Sequence, residues 1–173
     1  MTEVTSDMQD GLQYLESADS VIRKSLIWIK QQCIGGKGVS NEKLDEHQMA
    51  SFDLAWCAAE STAARFAAEY ARKAAAATSG GVCLEERMAR VFWAEALQNI
   101  HNGLRARPQS FGLSDADVAD LASSTLSRFC QTQLDAGNLE ALGREVIALN
   151  GASGAYLLDE HAVCVSHATV GLP

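Results

Sequence analysis

The chain has 173 residues, 47% of them hydrophobic, which is enough for one domain with a sizeable core and excludes a disordered tail. It carries 14 scattered Lys and Arg against 22 Asp and Glu, for a net charge of −8. That balance excludes the clustered basic surface that nucleic acid or an anionic membrane demands.

The five cysteines, Cys33, Cys57, Cys83, Cys130 and Cys164, are odd in number and form no CxxC pair. They read as reduced thiols of a cytoplasmic protein, not as a disulfide frame or a zinc site. The polar start MTEVTSDMQD is not that of a signal peptide, and no apolar run reaches the roughly 18 residues that span a bilayer. There are only two prolines, Pro108 and Pro173, and the long segments are rich in Ala, Leu, Glu and Gln, which favours helix over sheet.

The first predicted helix begins near Ser6 or Asp7. Its seam is Met8, Leu12, Leu15, Ile22, Leu26, Ile29 and Cys33, broken at Asp19. IGGKGVSNE ends it, with Gly35, Gly36 and Gly38 supplying a stop and a loop. No GxxxxGK[ST] accompanies these glycines, so a phosphate cradle is not expected. A second helix runs from Ser40 or Asn41 to about Ala77. Met49, Phe52, Trp56, Ala59, Ala63, Phe66 and Tyr70 recur on it at steps of three and four. This spacing predicts a buried seam facing other helices, with flanking alanines permitting close approach.

The third helix, Leu84 to Leu104, has Glu85 and Glu86 in its first turn, and its apolar residues cover more than one face, as expected of a central helix. A fourth helix is capped by Ser114 and carries Val118, Leu121, Leu126 and Phe129. A short fifth follows Gly137, and residues 150–173 read as a docked tail. The expected architecture is all-α: one domain over 1–173, an up-and-down four-helix bundle with a short fifth helix and a C-terminal tail.

Chemistry is sparse on these helices. Asp45, Glu46 and His47 suggest a metal site, but Glu-x-x-His and HExxH are both absent, and adjacent helical residues point about 100° apart. They read as the solvated first turn of a long helix, with no metal expected. Glu95, among VFWAEALQNI, must be paired or protonated if buried, and a structural hydrogen bond is the expected role. No partner acid or histidine is identifiable for Glu95; His101 lies six residues on and need not share its face, and His161 and His167 in the tail are not expected to be ligands. No GxSxG elbow is present, so no catalytic residue is assigned.

Two stretches carry a likeness. Gln48, then Leu54–Ala55, Glu60 and Ala63–Ala64–Arg65 keep one order, and Arg90–Val91–Phe92–Trp93–Ala94–Glu95 follows on the next helix. In this the chain resembles the C-terminal helical bundle of acyl-CoA dehydrogenases, including the extra helical domain of their very-long-chain members. His47 stands where that family usually has an aromatic residue. The likeness covers about 60 residues well. The family's flavin-binding β-domain, its N-terminal helical domain and its catalytic glutamate segment have no counterpart. GGKGVSN replaces the Arg and Phe-Gly that meet a neighbour's flavin, and Gly151-Ala-Ser-Gly154-Ala-Tyr156 only weakly echoes the Gly-Gly-x-Gly-Tyr turn.

The resemblance therefore implies a helical module, not catalytic alone, that dimerises or docks onto an acyl-CoA dehydrogenase-type flavoprotein. FAD would be reached only through that partner, with Gln48 as a flavin-side contact and Glu95 as a structural residue. Alternatives are a small subunit or fragment of such an oxidoreductase, active only with its other part, and an unrelated helical interaction bundle.

Overall fold

The computed structural model describes residues 6–36, 38–77, 83–121 and 123–149, and they are almost wholly helical. The tail at 150–173, with Cys164, His161, His167 and the Gly151–Tyr156 echo, lies outside the described residues. Helix α1 spans Ser6–Cys33. Two short strands, β1 (Ile34–Gly35) and β2 (Gly38–Val39), pair antiparallel with Ile34 opposite Val39. The glycines read as a helix stop thus also build a small hairpin, and Gly38 takes φ +114°, open to glycine at no steric cost.

The expected second helix is two. Helix α2 (Asn41–Glu46) is capped by Ser40, whose Oγ accepts from the Lys43 amide, and buries no residue. His47 leaves helical dihedrals, at φ −105° and ψ 15°, before α3 (Gln48–Ala77) begins. The His47 ring meets the edge of Trp28 from α1, with centroids 5.9 Å apart.

Helix α4 (Leu84–Ala106) occupies the centre, packing on α3, α1, α6 and α7, as its broad apolar surface predicts. A 3-10 turn (Pro108–Phe111) follows, with Gly112 in the left-handed region at φ +65° against Trp28. The expected fourth helix is also divided. Helix α5 (Asp115–Asp120) has a complete capping box from Ser114 and Asp117, and α6 (Ser124–Gln133) is capped by Ser123. Helix α7 (Ala136–Ala148) starts from Asp135, whose carboxylate accepts from the Gly137 and Asn138 amides. The protein is all-α, a helical bundle as expected; among the described residues the expected second and fourth helices are each divided in two.

The core sits between α1, α3 and α4. Leu15, Ile22 and Ile29 come from α1, and Trp93, Leu97, Ile100 and Leu104 from α4. Leu26 of the expected α1 seam is exposed, its place taken by Val21 and buried Ser25. Met88 of α4 is exposed as well. Gly11 lets α1 close on the Trp93 ring: a Cβ there would lie 2.5 Å from Cε3.

Candidate functional site: the outward face of α3

Helix α3 carries two seams of the same period. One is Ala50, Leu54, Cys57, Ser61, Ala64, Ala68 and Ala71, at steps of four and three, and all seven are buried. The other is the aromatic seam that the sequence predicts to be internal, and it lies outside. Phe52 is 66% exposed, Trp56 62% and Phe66 68%; Met49 and Tyr70 are exposed too, with Ala59 and Ala63 between them. The expectation that this stripe lies inside the bundle is overturned.

Packing explains the inversion. The facing surfaces of α1 and α4 already present large side chains, so the space left for α3 is shallow. Close-packed interiors match large against small. The alanine seam lets α3 sit against α4, where the fully buried Trp93 donates its indole N–H to the Ala64 carbonyl at 2.9 Å. Asp19, the break in the α1 seam, fixes the rotation of α3. It accepts from the buried Ser61 hydroxyl and pairs with Arg65, whose Nε lies 2.6 Å away. The aromatic stripe faces solvent as a consequence.

Beside the stripe, α3 and α4 enclose a groove of about 550 Å³ lined by Phe52, Trp56, Cys57, Asn99 and Gly103, with an Asp53–Arg107 ion pair at its edge. Asn99 also donates to Glu60 at 3.2 Å. Burial pushes the Cys57 thiol up to about 11, and the Asp53 and Glu60 charges add to the shift. A thiol so held stays protonated near neutral pH and is no nucleophile.

A second cavity, of about 560 Å³, lies between α4, α6 and the start of α7, lined by Leu97, His101, Leu126, Cys130, Leu134 and Asp135. His101 Nε2 is buried with no hydrogen-bond partner among the described residues, and burial, assisted by Arg105, lowers its pKa. Burial raises the Cys130 thiol, which donates to the Ala94 carbonyl at 3.7 Å. Both side chains line this cavity, and burial favours the neutral form of each.

The residues singled out in the sequence fall apart in space. Gln48 is exposed at the first position of α3. Asp45 and Glu46 are exposed at the end of α2. Among the described residues no group of three His, Cys, Asp or Glu is placed to hold a metal ion. Glu95 is exposed, so the burial that would demand a partner does not arise. The buried acids are instead Glu85 and Glu86 of the first turn of α4, Glu86 paired with Arg90. An ion pair four residues apart was readable there, since Glu86 and Arg90 share a helix face.

No family model matches the chain, and no curated protein matches it. Among the described residues no helix is long and apolar enough to cross a membrane.

Proposed function

We propose that this protein is a helical assembly module, not catalytic by itself, that binds another protein surface through the outward face of α3. One observation carries the reading: a contiguous stripe of Met49, Phe52, Trp56, Phe66 and Tyr70 is turned to solvent on a helix already anchored by its opposite face. Together these five side chains expose roughly 600 Å², the upper end of the largest apolar patch on an ordinary monomer, and large exposed patches mark interaction sites. Aromatic residues are also the side chains that dominate binding energy at interfaces.

Comparing two tagged chains in extract of the native cell tests this. The wild-type chain is expected at a mass well above its own 18.5 kDa, and a Trp56→Glu, Phe66→Glu chain at its own mass. A wild-type chain that stays at its own mass would end the proposal.

A second reading keeps the order Gln48, Leu54–Ala55, Glu60 and Ala63–Ala64–Arg65 as its support. There the partner is an acyl-CoA dehydrogenase-type flavoprotein and Gln48, exposed at the start of α3, reaches a flavin that the partner brings. Dehydrogenase activity gained at a fixed stoichiometry on mixing would support it; activity indifferent to the added chain would remove it.

A further inference from the structure

The stripe has an internal order that says what covers it. Going along α3, the exposed positions read Met49, Phe52, Trp56, then Ala59 and Ala63, then Phe66 and Tyr70. Large groups stand at both ends and two alanines in the middle. Such a pattern fits its own reversed copy. If a second α3 lies antiparallel with its dyad near residue 61, Trp56 meets Phe66, Phe52 meets Tyr70, and Ala59 meets Ala63, each twice. The alanines allow the axes to approach to the roughly 8 Å of tightly packed helices, and the rings form two clusters either side.

Charge selects the direction. The helix α2 that leads into α3 is net acidic, with exposed Glu42, Asp45 and Glu46 against Lys43, and the far end of α3 is net basic, with exposed Arg72 and Lys73 against Glu69, which pairs with Lys73 at 3.0 Å. A parallel pair would set each of these against its own copy. An antiparallel pair brings the acidic entrance of one chain to the basic end of the other, which favours that orientation.

Area is consistent with this. Five side chains exposed by one-third to two-thirds offer roughly 600 Å² per chain, counting 150–250 Å² for a whole aromatic group. With Ala55, Ala59 and Ala63 added, this approaches the roughly 800 Å² per partner of a standard specific interface. From Met49 to Tyr70 the stripe runs about 32 Å at 1.5 Å per residue.

We infer that the occupant of the α3 face is a second copy of this chain, docked antiparallel about a two-fold axis near residue 61. The inference builds on the assembly reading above and specifies its partner. The symmetry is isologous: the same patch serves both subunits and the contact closes.

Sedimentation velocity of the purified full chain tests the occupant. At a concentration on the order of 100 μM, ample for a micromolar interface, the chain is expected to sediment at twice its 18.5 kDa, and the Trp56→Glu, Phe66→Glu variant as a monomer with unchanged circular dichroism. Orientation is tested by Phe52→p-benzoylphenylalanine and tryptic mapping. The antiparallel pair predicts a photo-cross-link to the peptide 66–72. Within one chain that peptide begins about 21 Å away along the helix, too far for an internal link.

A purified chain that is monomeric at this concentration, a dimer that survives the double substitution, or a link confined to the peptide 44–65 would each overturn the inference. A monomeric pure chain that still gains mass in extract, in a stripe-dependent way, would leave the assembly reading standing and remove only the second copy.

Discussion

Trp93 and Ala64 are joined by one hydrogen bond that sets the whole arrangement: the fully buried indole N–H of α4 donates to a main-chain carbonyl of α3 at 2.9 Å. That bond needs a small residue at position 64 and a close helix approach. It therefore commits α3 to burying its alanine face. Replacing Trp93 by Ala removes the largest buried side chain and is expected to cost about 3–5 kcal/mol. Urea unfolding checks this. A loss under about 1 kcal/mol would mean that the ring does not occupy the core.

Asp19 supplies the second anchor, accepting from Ser61 and Arg65. Asp19→Ala leaves the buried Ser61 hydroxyl without this acceptor and is expected to cost about 1.5–3 kcal/mol, the range for hydrogen bonds to charged groups. A double-mutant cycle of Asp19→Ala with Ser61→Ala should show coupling on the order of 1 kcal/mol. Additive effects would show that the two do not interact.

Gly112, unlike Gly38, combines a positive φ with a crowded site. Its φ is +65°, and a Cβ would collide with the Trp28 ring. Gly112→Ala is expected to lower stability by about 1–3 kcal/mol through overpacking, beyond the left-handed strain. By contrast Gly36 has open space around it, and Gly36→Ala should be nearly silent. Paired thermal melts of the two variants decide this.

Asp117 links α5 to α1. Hydrogen bonds from Lys24, at 2.7 and 2.8 Å, and then from Ser114, hold its carboxyl far below its ordinary 3.8. A depressed folded-state pKa contributes stability above the unfolded value and loses it as pH falls through the lower one. The wild-type advantage over Asp117→Asn should therefore be constant near neutrality and shrink below about pH 4. Melting curves from neutral to acid pH measure it, and an advantage that grows on acidification contradicts the assignment.

How much of this was legible beforehand differs by element. Helical content, the central position of α4, the Ser114 cap and the acidic first turn of α4 follow from patterns that depend on near neighbours. The division at His47 did not, because it involves Trp28 from another helix. The division before Ser124 was partly visible, since Ser123–Ser124 offers a second capping signal inside an apparently continuous helix. The outward face of α3 was illegible for a sharper reason. Both of its seams have the same period, and periodicity fixes spacing without saying which seam meets the core. Hydrophobicity favoured the aromatic one; the large side chains already on α1 and α4 favoured the small one. Glu95 is the same case: its apolar neighbours in sequence surround the helix, not the exposed side chain.

Fluorine resonance of 5-fluorotryptophan measures the partition of α3 most directly. In dilute chain the Trp56 signal is expected to show a full solvent isotope shift between light and heavy water, and the Trp93 signal none, matching 62% and 0% exposure. A Trp56 signal as insensitive to solvent as that of Trp93, at every dilution, would mean that the aromatic seam lies inside the fold and the alanine seam outside.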